Sequence, residues 1–251
     1  MNVPALPDAF RHRGDRPAIV GHRGVRGPLP ENTMAAFEEA IRQGADAVEL
    51  DVRLARSGEV VVLHDPDLVR VAGDPGRAED LSYAELRAAD LGRGERVPLL
   101  ADVLELAARS HVGVNVELKH DVPSRRALAL ATARVLAAFP KVDVVVSSFD
   151  PWTLAAHRLL APKRAYAELI HESTYHDIAF LLARGLRFDG VHVEKSLATP
   201  ARIDRFLRRG YVAAWTILEP AEARRVAALG VAVIITDTPG AILAALAEPA
   251  R

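Results

Sequence analysis

Three acidic residues stand in segments that are otherwise apolar. Glu49 and Asp51 lie two residues apart in Ala-Val-Glu-Leu-Asp-Val, and Glu117 lies in a second segment of this kind. Side chains two residues apart on a strand share a face, and a buried carboxylate is costly unless it is paired or binds a cation. Because the chain has no cysteine, the set predicts one Mg²⁺ or Ca²⁺ ion rather than Zn²⁺. A buried salt-bridge network with Arg23 and Lys119 is the alternative interpretation.

Two histidines and two basic residues accompany these carboxylates. His22 and His64 are predicted to act as an acid and a base, because an imidazole titrates near neutral pH. Arg23 and Lys119 would neutralise a phosphate anion and the charge that develops on it during reaction. Trp215 is interpreted as an apolar wall beside the substrate, with packing inside the fold as the alternative. Together these residues indicate a metal-assisted reaction at a phosphate group.

The elements that must position these residues alternate along the chain. Short β-branched segments alternate with longer segments of helical period, which predicts parallel strands joined by right-handed helical crossovers. The predicted strands are Ala18–Gly21, Ala47–Leu54, Val60–Leu63, Gly113–Leu118, Val142–Ser147, Arg164–Leu169, Gly190–Val193, Tyr211–Thr216 and Val231–Thr236. The predicted helices are Thr33–Gln43, Leu100–Ala108, Ser124–Ala138, Pro151–Leu159, Tyr175–Arg184, Pro200–Arg208, Pro220–Ala228 and Pro239–Ala247. Asn32 is predicted to cap the first helix.

The second and third strands are predicted to form an antiparallel hairpin, because too few residues separate them for a helix. A two-residue turn at Ser57-Gly58 sets Asp51 opposite His64 and places both on one face with Glu49. Without the return strand of the hairpin, eight parallel strands remain. The fold class is therefore predicted to be α/β, a single (βα)8 TIM barrel over all 251 residues. The segment from about residue 67 to 98 is interpreted as a small insertion near the C-terminal mouth.

The residues assigned chemical roles fall at the carboxyl ends of the predicted strands. Barrel enzymes assemble their active sites at this rim, whereas residues deeper in the strands fill the core. The carboxylates, histidines and basic residues are therefore expected to converge at one mouth of the barrel. Among the other histidines, His192 ends a predicted strand and is the one further candidate to line the site.

Bulk composition excludes several classes of protein. The 32 basic and 33 acidic residues nearly cancel, and no basic stripe is present, so nucleic acid is not an expected partner. The lack of cysteine excludes disulfides and thiolate sites. No run of about 18 apolar residues and no signal-peptide core is present, so no stable membrane anchor is expected and a cytoplasmic location is predicted. The sequence makes no prediction of oligomeric state.

Over almost the whole chain, the order of motifs resembles that of the glycerophosphodiester phosphodiesterase family. The shared motifs are Gly21-His22-Arg23-Gly24, Pro30-Glu31-Asn32-Thr33, Glu49-Leu50-Asp51-Val52, Leu63-His64-Asp65, Val116-Glu117-Leu118-Lys119, Ser147-Ser148-Phe149, Trp215-Thr216 and Thr236-Asp237-x-Pro239. This chain departs from the family pattern at Leu218, where Asn is common, at Ala232-Val233 and at Val71-Ala72. None of these departures removes a predicted ligand or histidine, so they affect substrate preference more than catalysis.

The resemblance implies a barrel in which the three carboxylates hold one divalent cation. It also implies that the two histidines act as acid and base and that the two basic residues bind phosphate. The implied reaction converts a glycerophosphodiester, such as glycerophosphocholine or glycerophosphoethanolamine, and water into glycerol 3-phosphate and an alcohol. Such an activity belongs to glycerol and lipid metabolism, with a small molecule as the partner.

Two alternative functions remain at this point. A phospholipase-like phosphodiesterase acting on lipid head groups would share the histidines and metal, but would present an apolar rim for membrane docking. Aromatic residues make up 5% of the chain and form no cluster near a predicted loop, which disfavours this alternative. A catalytically silent barrel would bind a phosphodiester tightly without turnover.

Overall fold

Strands alternate with helices along the computed structural model, which describes residues 6–172 and 188–247. The strands are β1 (Ala18–His22), β2 (Ala47–Leu54), β3 (Val60–Val62), β4 (Asp67–Leu68), β5 (Asp74–Arg77), β6 (Gly113–Leu118), β7 (Val144–Ser148), β8 (Ala165–Ile170), β9 (Gly190–Glu194), β10 (Tyr211–Trp215) and β11 (Val233–Thr236). The helices are α1 (Met34–Arg42), α2 (Val69–Ala72), α3 (Tyr83–Ala88), α4 (Leu100–Ser110), α5 (Arg125–Ala137), α6 (Pro151–Leu160), α7 (Pro200–Leu207), α8 (Pro220–Ala228) and α9 (Pro239–Ala247). The predicted helix Tyr175–Arg184 lies outside the described residues.

Eight of the strands close a barrel. Their hydrogen-bonded order is β1, β2, β6, β7, β8, β9, β10, β11 and back to β1, and every neighbouring pair is parallel. Strand β3 pairs antiparallel with the end of β2 and lies outside the barrel. The predicted (βα)8 barrel with one extra hairpin strand is therefore confirmed. Within the described ranges, no helix has the length and apolar character needed to cross a membrane.

The register of the hairpin differs by one residue from the prediction. Leu63, not His64, lies opposite Asp51, because the Leu63 amide donates to the Asp51 carbonyl at 3.0 Å. The turn encloses three residues rather than two, and its last residue, Gly58, has a φ of 101°. A three-residue loop with glycine in the left-handed region is a common hairpin connection. His64 therefore leaves the ladder and reaches the mouth from beyond the end of β3.

The amino-terminal segment closes the bottom of the barrel. A 3-10 helix at Asp8–Phe10 places the fully buried Phe10 among the small apolar residues of the barrel interior. A Cβ added at Gly113, the first residue of β6, would lie 2.7 Å from the Phe10 ring and 2.7 Å from the Cβ of Ala9. Glycine is therefore required for this close approach. This apolar packing closes the barrel at the end opposite to the C-terminal mouth.

Thr33, rather than Asn32, caps α1. The Thr33 hydroxyl accepts a hydrogen bond from the amide of Ala36 at 3.3 Å. Asn32 has a φ of 57° and is buried, and its Nδ2 donates to Oδ2 of Asp51 at 2.9 Å. The predicted cap at Asn32 was wrong because the Asn32 side chain is held at the buried carboxylate of Asp51 by a charge-assisted hydrogen bond, and the next residue caps the helix. The residue thereby belongs to the mouth of the barrel.

The insertion packs against the hairpin. Strands β4 and β5 pair antiparallel, with α2 between them and α3 after β5. Leu68, Ala78 and Leu86 of this segment are buried together with Val61 and Leu63 of the hairpin. The insertion is thus joined by apolar packing to the chain segment that leads into His64.

Replacing Arg164 by Met is expected to lower the free energy of unfolding by about 2–3 kcal/mol, because a net hydrogen bond contributes about 1 kcal/mol. The Arg164 guanidinium donates to the carbonyls of Leu136, Phe139 and Val142 at 2.7 to 2.8 Å, where α5 ends and β7 begins. Urea denaturation followed by circular dichroism would measure the change. Arg126→Met, on the exposed face of α5, is the control, and an equal stability of the two variants would contradict the assignment.

Candidate active site

Three carboxylates meet at the C-terminal mouth of the barrel. Glu49 and Asp51 share a face of β2, and Glu117 lies on β6, directly beside Asp51 in the strand register. All three residues are buried, and one oxygen of each lies within 4.8 Å of the others. The alternation of side chains along β2 predicted that Glu49 and Asp51 share a face. The parallel register of β2 and β6 places Glu117 beside them. The group has the chemistry and spacing needed to hold one divalent cation.

The charges around these carboxylates are not balanced by salt bridges. Lys119 Nζ lies 2.9 Å from Oε1 of Glu117 and 3.3 Å from Oδ1 of Asp51. Burial raises the pKa of Glu49, and the negative charges of Asp51 and Glu117 raise it further. Burial and the charge of Asp51 raise the pKa of Glu117 to about 7. Burial also acts to raise the pKa of Asp51, but Lys119 and Arg23 outweigh it and hold that pKa below its ordinary value.

The ion pairs therefore stabilise one carboxylate anion and leave two in an unfavourable environment. A salt-bridge network alone, which was the alternative to a metal site, would neutralise its members. A divalent cation held by all three carboxylates would supply the missing positive charge. The residues present thus fit a divalent metal ion.

His22 is held by a carboxylate from the opposite end of the chain. Its Nδ1 lies 2.7 Å from Oδ1 of Asp237, which directly follows β11. A carboxylate at Nδ1 fixes the orientation of the ring and leaves Nε2 available for proton transfer. The sequence motifs include Asp237, but its role as the partner of His22 was not predicted.

His64 has an equivalent partner next to it in the chain. Its Nδ1 lies 2.6 Å from Oδ1 of Asp65, and Oδ2 of Asp65 accepts from Nε of Arg70 at 2.6 Å. Burial lowers the pKa of His64, in spite of the opposing attraction of Asp51. Arg70 belongs to α2 of the insertion. The insertion thus contacts the partner of a predicted catalytic residue.

A chain of ion pairs joins the two histidine partners around the mouth. Arg70 Nη2 lies 2.7 Å from Oε1 of Glu31, and Arg26 Nε lies 3.1 Å from Oε2 of the same residue. Arg26 Nη1 then reaches Oδ2 of Asp237 at 3.4 Å. Arg23 enters the chain through its Nη1, 2.9 Å from Oε1 of Glu31. The guanidinium of Arg23 is therefore held at the rim by charge on several sides.

A cavity of about 220 Å³ opens at this mouth. His22, His64, Arg23, Glu49 and Glu117 line it, with Phe149 and Trp215 on the apolar side. The rings of Phe149 and Trp215 meet edge to face with centroids 5.8 Å apart. The position of Trp215 agrees with an apolar wall, and Phe149 is a second member of this wall that was not predicted.

His192 is not one of the described residues that line this cavity. Its Nε2 lies 2.9 Å from the hydroxyl of Tyr211, and burial lowers its pKa to about 3. Its backbone carbonyl accepts the Trp215 indole hydrogen bond at 2.9 Å. His192 is therefore a buried, neutral residue that supports the aromatic wall from below.

The chain matches the model of the glycerophosphoryl diester phosphodiesterase family over residues 22–241. It belongs to this family. The match runs from the histidine at the end of β1 into α9, so it covers all eight barrel strands apart from the start of β1. The predicted family is confirmed.

Relatives and solved structures agree with the family assignment. A glycerophosphodiester phosphodiesterase of Bacillus altitudinis is 32% identical over 236 residues, which cover 88% of this chain and 94% of the relative. The structure of an Oleispira antarctica phosphodiesterase in complex with the product sn-glycerol-3-phosphate is 25% identical, with a TM-score of 0.83 over 94% of this chain and 98% of that chain. A Thermotoga maritima glycerophosphodiester phosphodiesterase is 29% identical, with a TM-score of 0.76 over 91% and 98%. This family member is thus a glycerophosphodiester phosphodiesterase, a phosphoric diester hydrolase.

Proposed function

We propose that the protein hydrolyses glycerophosphodiesters to glycerol 3-phosphate and an alcohol by metal-dependent acid–base catalysis with His22 and His64. One observation carries the proposal. The two histidines, each with Nδ1 against a carboxylate, face the same cavity as Glu49 and Glu117 of the carboxylate group. This arrangement brings two proton-transfer groups and a cation site within reach of one phosphodiester.

The positive groups of the site bind and orient the phosphate. A divalent cation held by Glu49, Asp51 and Glu117, which we propose to be Mg²⁺ or Ca²⁺, would act as a Lewis acid toward the phosphoryl oxygens. Arg23 and Lys119 contribute fixed positive charge from the rim and from β6, which favours the anion and its transition state. Trp215 contacts the carbon atoms of the substrate from the apolar side.

The two histidines move protons in opposite directions. One accepts the proton of the glycerol 2-hydroxyl as that oxygen forms a bond to phosphorus, and the other donates a proton to the departing alcohol oxygen as its bond to phosphorus breaks. The product of this step is a cyclic phosphate of glycerol. Water then opens the ring with the proton transfers reversed, which gives glycerol 3-phosphate and restores both imidazoles.

The test is release of glycerol 3-phosphate from glycerophosphocholine and glycerophosphoethanolamine. Protein treated with EDTA would be assayed alone and after Mg²⁺, Ca²⁺ or Mn²⁺ is restored. We expect product only with a metal ion, and the rates rank the ions. Absence of glycerol 3-phosphate with every ion would overturn the proposal.

Adding lysophosphatidylcholine as a substrate in the same assay distinguishes two alternative functions, which are action on lipid head groups and a catalytically silent barrel. Trp152 (62% exposed) and Leu218 (43% exposed) follow the carboxyl ends of barrel strands β7 and β10, and action on lipid head groups would use apolar side chains of this kind at the mouth. Preferred turnover of lysophosphatidylcholine would support action on lipid head groups. Tight binding of glycerophosphocholine without any turnover would instead identify a catalytically silent barrel.

A further inference from the structure

Arg53 is a fully buried arginine that contacts the chain segment of His64. It lies near the end of β2, two residues after Asp51, and is the largest of the fully buried side chains described. Its Nε and Nη2 donate to the backbone carbonyl of His64 at 3.0 and 2.9 Å. Two donors on one oxygen fix the direction of that carbonyl, because the guanidinium is planar and rigid.

This carbonyl belongs to a peptide group that the sheet does not hold. The antiparallel ladder of the hairpin ends at the bond from the Leu63 amide to the Asp51 carbonyl. The peptide group that joins His64 to Asp65 lies two peptide groups beyond this bond, and the carboxylate of Asp65 lies 2.6 Å from His64 Nδ1. A rotation of this peptide would therefore displace both the imidazole and the carboxylate that orients it. Arg53 supplies the hydrogen bonds that the end of the ladder leaves out.

The same guanidinium connects two further segments. Its Nη2 donates to Oδ1 and Oδ2 of Asp121 at 2.7 and 2.8 Å, and its Nη1 donates to Oε1 of Glu79 at 3.0 Å. Asp121 lies two residues after Lys119, and Glu79 belongs to the insertion. One side chain thus ties His64 to the segment of the phosphate-binding lysine and to the insertion.

We propose that Arg53 is a positioning residue for phosphodiester hydrolysis, which holds His64 in its working orientation through the His64 carbonyl. The inference rests on the acid–base role proposed for His64. Arg53 is not among the described residues that line the cavity, so its effect on the reaction is indirect. Glu79 and Asp121 hold the guanidinium in turn, which gives the insertion a defined contribution to the site.

Steady-state kinetics on glycerophosphocholine would test this role. Arg53→Met is expected to lower kcat by roughly 100-fold with little change in KM, because a displacement of about 1 Å in a reacting group has an effect of that order. Arg53→Lys keeps the charge and a donor and should recover part of the loss. The matched control is Arg164→Met, which also removes a guanidinium from backbone carbonyls but lies at the opposite end of the strands. An unchanged kcat in Arg53→Met, or an equal loss in Arg164→Met, would overturn the proposal.

A double-mutant cycle adds a readout that a merely structural role would not give. If Arg53 acts through His64, Arg53→Met should have no further effect on kcat in a His64→Ala background. A full additional loss there would refute the positioning role. Should Arg53→Met fail to fold, Glu79→Gln and Asp121→Asn take its place in the same cycle, with smaller losses expected.

The outcomes also separate this inference from the proposed function. Near-normal turnover in His64→Ala would remove the acid–base role and the inference with it. An inactive His64→Ala beside a fully active Arg53→Met would leave the proposed function intact and remove the positioning role alone.

Discussion

His22→Ala and His64→Ala are each expected to lower kcat for glycerophosphocholine by roughly two to four orders of magnitude, the usual contribution of a positioned acid or base. KM should change little, because the groups proposed to bind the phosphate, which are the cation, Arg23 and Lys119, are left in place. Both imidazoles border the cavity, so alanine removes no core packing and the fold should be retained. The rate of glycerol 3-phosphate release measures kcat and KM for each variant, and far-ultraviolet circular dichroism shows whether its fold is retained.

The control is His12→Ala, because His12 is exposed at the bottom of the barrel. Its kinetic constants should equal those of the unmodified protein. The double variant that lacks both site histidines should be only slightly slower than either single variant, since the two groups are proposed to act in one proton-transfer sequence. Near-normal rates in both single variants would defeat the acid–base assignment.

The barrel could be predicted because the apolar residues of its strands and helices recur at regular spacings in the sequence. Each strand reads as a short β-branched run, and each crossover reads as a longer amphipathic segment, so the order of elements follows from local patterns. The hairpin register could not be predicted in the same way. It depends on whether the turn holds two or three residues, and the Ser57-Gly58 pair is compatible with both. The backbone at Gly58, with a φ of 101°, decides it.

Some residues of the candidate site could also be predicted from the sequence, and others could not. Glu49, Asp51 and Glu117 were identifiable because carboxylates in apolar strands conflict with burial, and that conflict is visible in the sequence. The partner that orients His22 was not identifiable, because His22 and Asp237 are separated by 215 residues and meet only when the barrel closes. Arg53 was also missed, since an arginine at the end of a strand usually reaches solvent. Its burial depends on acceptors supplied by other segments.

Glu49→Gln is expected to weaken divalent cation binding by on the order of 100-fold or more, because one of three anionic ligands becomes neutral. Isothermal titration calorimetry of EDTA-treated protein with Mg²⁺ and with Ca²⁺ would measure the affinity. Glu38→Gln, on an exposed turn of α1, changes the same net charge away from the site and should have no effect. An unchanged affinity in Glu49→Gln would remove Glu49 from the ligand set.

The affinity of the unmodified protein for the cation should also depend on pH in a defined direction. Burial and the charge of Asp51 raise the pKa of Glu117 to about 7, so this carboxyl is partly protonated near neutral pH when no cation is bound. A cation must displace that proton, and binding therefore releases protons. Affinity should therefore rise as the pH increases through about 7, where the Glu117 carboxyl ionises. Titrations at pH 6, 7 and 8 (roughly one pKa unit to either side of that value) would measure the trend. A pH-independent affinity would mean that the cation does not use Glu117.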